Sequence, residues 1–343
     1  MPRTGKHPLK LTEDMPIDPR NGISIATVTH IPMLSGYWEK SLDVLKLFFE
    51  SLYASTDLPF DLLVFDNNSC KEAQDYLLEQ RRQGRIQYLT LSAYNLKKLG
   101  AMEYLFSCAP GEFVAFVDSD VYFLPGWLEA SLEVLEAFPE AGQVSAIPTI
   151  DKSKHYLESA RRGILADSAL KVEQGTDLIP DAFVNAHCLS IGKEKADYLK
   201  QSEPRNDVRL TRGKVSAYVS AQDFQFITRR EIIQKVLPLE VRNPGEYYDP
   251  IYSPVFEAKL DELGYWRLST TKYLIHHMGN HVPDLQMELA GIASPAVTAS
   301  QSADNSSKKS SGLRRRFLTS RPVRNLLKRI YTGVYRLLFE DNK

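Results

Sequence analysis

Short apolar runs that alternate with helical patterns constrain the fold of this chain more than any other feature. Residues 23–29 (ISIATVT), 61–65 (DLLVF), 86–91 (IQYLTL) and 113–117 (FVAFV) are rich in apolar and β-branched side chains. Between these runs, apolar residues recur at the three- and four-residue intervals of amphipathic helices. Strands without polar alternation are typical of a parallel sheet covered on both faces. The order therefore predicts an α/β fold with an open, doubly wound, mostly parallel sheet and helices on both faces.

The pattern after residue 150 is mixed. It predicts strands at Ala182–Ile191, Phe224–Thr228 and Trp266–Ile275, and helices at Arg229–Leu237 and Pro254–Leu263. The polar, glycine-interrupted segment 150–180 predicts a loop, and the small polar residues 286–312 are typical of a flexible linker. We therefore divide the chain into a polar lead (1–21), a folded domain (22–285, with halves 22–150 and 151–285), a linker (286–312) and a basic helix (313–343).

Composition excludes several classes of protein. Hydrophobic residues make up 43% and charged residues 25% of the 343 residues, as in ordinary globular proteins and unlike disordered or collagenous chains. Three scattered cysteines form neither a disulfide framework nor a CxxC zinc motif. The N-terminal residues lack the apolar core of a secretory signal, and no apolar stretch reaches the roughly 18 residues of a membrane-spanning helix. These features lead us to expect a cytoplasmic protein.

The near-neutral net charge of −1 conceals an acidic body and a basic tail. Residues 305–339 carry ten Lys or Arg and no Asp or Glu. Within 313–339, apolar residues recur at helical spacing opposite basic ones, which is typical of a helix lying at an anionic membrane surface. We therefore expect a peripheral location at the inner face of the membrane. Docking of this helix on the body or on a partner subunit is the alternative, and nucleic-acid binding is disfavoured because no nucleic-acid fold is recognisable.

Polar residues follow three of the predicted strands at the point where each strand ends. They are Thr29 and His30, residues 66–69 (Asp-Asn-Asn-Ser), and Asp118 and Asp120. In open parallel sheets, ligands bind beyond the carboxyl ends of the strands. Two closely spaced carboxylates offer the hard oxygen ligands that Mg²⁺ and Mn²⁺ prefer. We therefore predict a metal-assisted site at this edge of the sheet.

The segment around the two aspartates, FVAFVDSDVYFLPGWLEASLEVL, resembles the metal-binding DxD segment of the family 2 glycosyltransferases, which have the GT-A fold. ISIATVTHIP, DLLVFDNNS, FQFITRREIIQKVLPL and ELGYWRLSTTKYLIHHMGN are similar to further segments of that family, in the same order over about residues 22–280. The resemblance implies transfer of a sugar, with inversion, from a nucleotide-sugar, most simply a UDP-sugar, to a hydroxyl acceptor. A glycan or lipid-linked acceptor in surface polysaccharide or glycolipid synthesis fits the basic tail.

The same resemblance implies roles for individual residues. Asp66 would bind the nucleobase, Asp118 would face the ribose or the donor sugar, and Asp120 would bind the metal. His276 or His277 would also reach the metal, and because side chains alternate along a strand, only one of them can face the site. The candidates for binding the rest of the nucleotide and its diphosphate are Thr27, His30, Asn68, Lys97, Lys98, Arg229 and Arg230.

The catalytic base is where this sequence departs from the family. The family base is an Asp at a helix start about a dozen residues before a Gly-Tyr pair, but here Ser253 stands eleven residues before Gly264. Asp249, which precedes a proline, is our first candidate for the base, although it can equally be a helix N-cap. Asp223 is the second candidate. If neither serves, a non-catalytic sugar-nucleotide-binding or scaffold protein is the alternative. A nucleotidyltransferase or dehydrogenase is disfavoured because no glycine-rich loop follows the first strand.

Overall fold

The computed structural model describes residues 21–150, 157–202, 204–239 and 254–292. Three of our sequence predictions lie outside these residues: Asp249 as a base, the substitution at Ser253, and the basic helix 313–343. Among the described residues, no helix is both long enough and apolar enough to cross a membrane.

The first half of the domain alternates strands and helices as the sequence predicts. Its elements are β1 (Ile23–Thr29), α1 (Ser41–Ala54), β2 (Asp61–Asn67), α2 (Lys71–Arg82), β3 (Tyr88–Ser92), α3 (Lys97–Cys108), β4 (Phe113–Asp118), β5 (Val121–Phe123), α4 (Trp127–Ala137) and β6 (Ala141–Ser145), with a 3₁₀ turn at Gly36–Trp38.

The second half adds shorter elements. They are α5 (Glu158–Ala166), β7 (Lys171–Gly175), α6 (Asp181–Ser190), α7 (Lys195–Lys200), β8 (Asp207–Arg212), β9 (Val215–Tyr218), β10 (Gln225–Arg229), α8 (Arg230–Val236), α9 (Val255–Glu262), β11 (Trp266–Thr270), β12 (Ile275–His277) and α10 (Leu285–Glu288).

The central sheet has the strand order β3-β2-β1-β4-β10-β6-β11-β9-β8-β7. Strands β3, β2, β1 and β4 are parallel, and β10 runs antiparallel between β4 and β6. Strand β11 is parallel to β6, and the edge β9-β8-β7 is antiparallel. The predicted doubly wound α/β fold is therefore confirmed. From β1 the chain adds β2 and β3 on one side of the sheet and then crosses back to add β4 on the other side. In such sheets, the ligand crevice lies at this switch point, at the carboxyl ends of β1 and β4.

Both faces of this sheet are covered, which explains the unbroken apolar runs. Alternate residues of β2 enter different cores: Leu62 and Val64 join the cluster that includes helices α1 and α4, whereas Leu63 and Phe65 join the cluster of α3, α8 and α9. A strand buried on both sides needs apolar residues at every position, because neither face contacts water.

The prediction of a strand at Ala182–Ile191 is wrong, because this segment forms helix α6. Val184 and Cys188, one turn apart, both pack with Tyr198 in a small core. The Asn185 side chain also reaches back one turn to Asp181. A short apolar run does not distinguish strand from helix by itself, and here contacts with the neighbouring helix decide.

Three other predictions are corrected by the structure. Segment 150–180 is not only a loop, since it contains α5 and β7. The predicted strand Trp266–Ile275 divides into β11, in the large sheet, and β12, which pairs with β5 in a separate two-stranded sheet. The predicted linker 286–312 begins inside α10, and Leu289 and Ile292 beyond it are buried in the core. The folded body therefore extends past residue 285.

Candidate active site

The strand-end residues predicted from the sequence meet at one edge of the sheet. Parallel pairing places Thr29 beside Asp66 and Val28 beside Asp118. The residues that follow β1, β2 and β4 therefore lie around one crevice at the switch point. Thr27 lies two residues earlier and is fully buried within β1, where its hydroxyl has no hydrogen-bond partner.

Asp66 is a fully buried carboxylate with one acceptor left over. Its Oδ2 accepts hydrogen bonds from the Ser69 backbone N–H at 3.2 Å and from Gln74 Nε2 at 2.9 Å. Its Oδ1 is buried without a hydrogen-bond partner. Because a buried acceptor without a donor is costly, this geometry favours a ligand N–H at Oδ1.

Asn67, to which our sequence analysis gave no role of its own within residues 66–69, organises the neighbouring loop. Its Oδ1 accepts from the Leu96 N–H at 2.7 Å, and its Nδ2 donates to Asn95 Oδ1 at 3.0 Å. His30 Nδ1 lies 2.8 Å from the Asn67 carbonyl oxygen. The predicted binding residues Asn68, directly after β2, and Lys97, at the start of α3, are exposed, and both have left-handed backbone conformations.

Lys98 links two acidic residues that are distant in sequence. Its Nζ lies 2.8 Å from Asp118 Oδ2 and 3.5 Å from Asp223 Oδ2, and each of these side chains is about one quarter exposed. Burial raises the pKa of Asp118 to about 6 even though the Lys98 ammonium opposes this shift. Burial alone would lower the pKa of Lys98, but Asp118 and Asp223 outweigh it and hold that pKa above its usual range. The ammonium is therefore a fixed positive charge between Asp118 and Asp223.

Asp120 and His277 form the second pair in the crevice. His277 Nε2 lies 3.3 Å from Asp120 Oδ2, and the Met278 N–H donates to the Asp120 carbonyl at 2.7 Å. Burial lowers the pKa of His277, but the Asp120 carboxylate outweighs it and raises that pKa to about 9. Burial likewise opposes ionisation of Asp120, yet His277 keeps the pKa of Asp120 below its usual value.

His276, the other histidine we predicted as a possible metal ligand, does not face the crevice. It is fully buried, with Nδ1 3.0 Å from the Tyr273 hydroxyl and Nε2 2.9 Å from Glu288 Oε2. The pairing of β12 with β5 decides which of the two histidines faces the crevice. His277 lies opposite Val121, the residue directly after Asp120.

Two other basic candidates also lie away from the site. Arg229 pairs with Phe113 at the amino end of β4, and its guanidinium donates to backbone carbonyls there. Arg230 donates to the Pro110 carbonyl at 3.0 Å. Both are therefore at the edge of the sheet opposite the crevice, and Lys98 is the basic candidate that reaches the acidic cluster.

A cavity of about 200 Å³ opens beside the acidic cluster. Its wall includes His30, Tyr37, Trp38, Asn280 and the loop 118–120. Asn280 Nδ2 donates to the Tyr37 carbonyl at 3.0 Å and so joins segments 243 residues apart. In the sequence, Trp38 stands at helical spacing from Leu42 and Leu45, so periodicity alone places it on a helix and gives no sign that it lines this wall.

Asp120 and His277 offer part of the ligand set that a divalent cation needs. Asp120 Oδ1 and His277 Nδ1 are buried without hydrogen-bond partners, and a carboxylate with an imidazole is a donor set that suits Mn²⁺. Within the part of the chain that the structure describes, no group of three or more His, Cys, Asp or Glu residues is arranged to hold a metal. A cation here would therefore take two protein ligands and complete its shell with phosphate and water.

Comparison with known proteins gives a match to one family model. Residues 37–198 match the model of the family described as glycosyl transferase family 2. An uncharacterized glycosyltransferase of Nostoc sp. (strain PCC 7120 / SAG 25.82 / UTEX 2576) is 22% identical over 234 residues, which cover 68% of this chain and 61% of the relative. This chain therefore spans about three fifths of the length of that relative.

Solved structures of glycosyltransferases show more distant likeness. Residues 1–349 of S. aureus TarS match with a TM-score of 0.40 and 11% identity, covering 74% of this chain and 60% of that one. The mannosyltransferase PcManGT from Pyrobaculum calidifontis, in complex with GDP-Man and Mn²⁺, matches with a TM-score of 0.31 and 17% identity, covering 40% of this chain and 38% of that one. Both TM-scores are below 0.5, so neither structure carries an argument about this chain. Residues 37–198, a little under half of the chain, are therefore similar to glycosyl transferase family 2.

Proposed function

We propose that this protein is a metal-dependent, inverting glycosyltransferase that moves a sugar from a nucleotide-sugar to a hydroxyl acceptor. The observation that carries the proposal is the convergence of Asp66, the Lys98–Asp118 pair and the Asp120–His277 pair on one crevice at the switch point of the sheet, in a domain whose residues 37–198 match the family 2 model. Each group matches one part of a nucleotide-sugar, namely the base, the ribose and the diphosphate.

Asp66 would recognise the nucleobase. Its Oδ1 is oriented by the hydrogen bonds that Ser69 and Gln74 make to Oδ2, and it can accept a hydrogen bond from a base N–H. Uracil and guanine both present such an N–H, whereas adenine and cytosine present an acceptor at the equivalent ring position. We therefore propose a UDP-sugar as the donor, with a GDP-sugar as the alternative.

Asp120 and His277 would hold Mn²⁺ or Mg²⁺. The cation supplies Lewis-acid stabilisation of the negative charge on the diphosphate. The imidazole must release its proton before its nitrogen can act as a ligand, because the pKa of His277 is about 9 without metal. Lys98 keeps Asp118 near the ribose position and offsets part of the acidic charge that a diphosphate would meet.

A carboxylate base must accept the proton of the acceptor hydroxyl. Asp223 lies at the start of β10 beside Lys98, with about one quarter of its side chain exposed, and is the candidate within the described residues. We retain Asp249 as the other candidate on its sequence position. Ser253 stands where the family has its catalytic Asp, which favours a second candidate function: binding of a sugar-nucleotide without turnover.

The acceptor and the location complete the proposal. We propose a glycan or lipid-linked acceptor, because residues 313–339 combine an apolar stripe with basic residues in the pattern of an anionic membrane surface. Flotation of the full chain and of a chain lacking residues 305–343 on anionic liposomes tests this part. Equal flotation of the two would contradict it.

The central experiment measures donor binding and turnover together. UDP- and GDP-sugars are screened by thermal shift with and without Mn²⁺, because a ligand of the native state raises the apparent melting temperature. Donor hydrolysis is then compared in the wild type, Asp120→Ala, and the surface control Asp43→Asn, whose side chain pairs with Lys46 on α1. We expect stabilisation only with Mn²⁺, and at least a hundredfold loss of turnover in Asp120→Ala alone.

The base candidates are separated by the same assay. Asp223→Asn or Asp249→Asn should abolish transfer while the protein still binds the donor. Binding of a donor without turnover in the wild type would favour the non-catalytic function, and the absence of binding for every nucleotide-sugar would overturn the proposal.

A further inference from the structure

A buried carboxylate behind the crevice joins two histidines. Glu288 Oε2 lies 2.9 Å from His276 Nε2, and Glu288 Oε1 lies 3.1 Å from His281 Nε2. Glu288 is only 6% exposed, so both of its oxygens are withdrawn from water and both are used. The three side chains are here called the Glu288 bridge.

The Glu288 bridge ties both ends of the segment that forms one wall of the site. His276 precedes this segment and His281 follows it, and between them lie His277, which faces Asp120, and Gly279 and Asn280, which line the cavity. The four residues 277–280 are therefore held at each end by the same carboxylate.

Glu288 is itself fixed by the core. Asp284 caps α10 by accepting from the Met287 N–H, and Leu289 and Ile292 beyond the helix are buried. On the other side of the bridge, the Tyr273 hydroxyl lies 3.0 Å from the remaining ring nitrogen of His276. The carboxylate therefore connects the rigid core to a segment with little secondary structure of its own.

Other contacts also hold this segment: Met278 is fully buried, the His277 and Phe224 rings lie 5.1 Å apart, and Asn280 Nδ2 donates to the Tyr37 carbonyl at 3.0 Å. Its backbone pairing, however, is short. Strand β12 has three residues and pairs with the equally short β5. Gly279 then takes a left-handed conformation with φ +63°, which ends the strand. Directly after β12, the Met278 N–H donates a hydrogen bond to the carbonyl of Asp120. Small shifts in so short a strand would move the His277 ring relative to Asp120.

We propose that Glu288 is a positioning residue for the metal half of the site, because it anchors both ends of segment 277–280 and so holds His277 against Asp120. The proposal rests on the proposed function in taking Asp120 and His277 as metal ligands. Outer partners of metal ligands commonly change metal affinity tenfold or more when they are removed. Glu288 acts here through the chain on either side of the ligand and touches neither substrate nor metal.

The first test measures Mn²⁺ binding through the free-ion signal in electron paramagnetic resonance, with UDP present. Glu288→Gln, Glu288→Ala and His281→Ala are compared with the wild type. We expect about tenfold weaker Mn²⁺ binding in both Glu288 variants. His281→Ala removes one of the two ties and should weaken binding less. His281 is half exposed, so this variant is expected to fold.

Glu140→Gln is the matched control. The Glu140 carboxylate also accepts two hydrogen bonds, from Arg212 Nη1 at 2.8 Å and Nη2 at 2.9 Å, but it has no tie to segment 277–280. A variant that is merely destabilised should lower the melting temperature without changing Mn²⁺ affinity. Weakened Mn²⁺ binding in Glu140→Gln equal to that in Glu288→Gln would overturn the proposal.

The second test needs no metal. Hydrogen exchange at the Met278 amide is measured in the metal-free protein, because this N–H donates to the Asp120 carbonyl only while segment 277–280 is in place. We expect at least tenfold faster exchange in the Glu288 variants and no change in Glu140→Gln. Unchanged exchange in folded Glu288→Gln would overturn the proposal. If the wild type binds no Mn²⁺ with any nucleotide, the proposed function fails, and exchange at Met278 still decides the role of Glu288.

Discussion

The ammonium of Lys98 lies 2.8 Å from a carboxylate oxygen of Asp118, and this contact joins helix α3 to the end of strand β4. The same nitrogen lies 3.4 Å from the Asp223 carbonyl and 3.5 Å from its carboxylate. One lysine therefore stands between the end of β4 and the residues that precede β10. Because Lys98 lies between two partly buried carboxylates, loss of its charge would cost more stability than loss of a surface lysine.

Lys98→Met should destabilise the protein and weaken donor binding. Without the ammonium, Asp118 and Asp223 face each other without a counter-charge, and the pKa of Asp118 should rise further above about 6. We expect the free energy of unfolding to fall by about 2 kcal/mol, below the cost of breaking a fully buried pair because these side chains are partly exposed. Urea denaturation measures this change. Lys97→Met, at the exposed neighbouring position, is the control and should unfold like the wild type. Equal stability of the two variants would contradict the prediction.

Asp66→Asn should impair nucleotide binding without unfolding the protein. The amide oxygen can still accept from Ser69 and Gln74, but the amide nitrogen then replaces Oδ1, the acceptor without a partner. A base N–H would meet a donor instead of an acceptor. We expect at least tenfold weaker binding of UDP, about 1.4 kcal/mol, by calorimetry. The control is Asp75→Asn on the exposed face of α2, and UDP binding as tight as in the wild type would remove Asp66 from the base site.

Mn²⁺ binding should become tighter as pH increases. The pKa of His277 is about 9 in the metal-free protein, so at neutral pH the metal competes with a proton on this imidazole. Release of one proton predicts about a tenfold gain in apparent affinity for each pH unit below 9. Titrations with Mn²⁺ between pH 7 and 8.5 measure the slope, and His277→Gln should flatten it. A slope in His277→Gln as steep as in the wild type would place the proton elsewhere.

The stability of the metal-free protein should have the opposite pH dependence. The pKa of His277 is raised in the folded state, so the stabilisation from its pair with Asp120 is fully present below the unfolded pKa near 6.5. This stabilisation is lost as pH rises through about 9, by about 3 kcal/mol at most. Chemical denaturation at pH 6.5 and 9.5 tests the sign. The difference between these two pH values should be smaller in His277→Gln, and an increase in wild-type stability at the higher pH would contradict the assignment.

Gly111→Ala should destabilise the sheet itself. A Cβ at this position would lie 2.6 Å from the Ser24 backbone nitrogen, which cannot move without disturbing β1. We expect a loss of about 2 kcal/mol, as for other forced overpacking. Gly22→Ala is the matched control because nothing lies within 4 Å of its added carbon. Urea midpoints for the two variants should differ clearly, and similar midpoints would refute the close approach.

Much of the first half of the domain, residues 22–150, followed from local pattern. The strands with apolar residues at every position required a sheet covered on both faces, and the polar residues after them were correctly expected to meet at one edge. Prediction was poorer after residue 150. Apolar runs such as that of α6 do not identify their own period. Strands β7 and β9 are short, and they pair with β8 and β11, respectively, from which other elements of the chain separate them.

By itself, the sequence determined the order of strands and helices in residues 22–150, the loop that carries Asp118 and Asp120, and the rule that only one of two adjacent histidines can face a site. The tertiary structure decided that this histidine is His277, because β12 pairs with β5 in the register that places His277 opposite Val121. It also decided that Lys98 reaches Asp118 and Asp223, and that Glu288 anchors the histidine segment. Periodicity along the chain reports which way a side chain points. Contacts such as that of Lys98 with Asp223, 125 residues away, arise only when the packed sheet brings the two segments together.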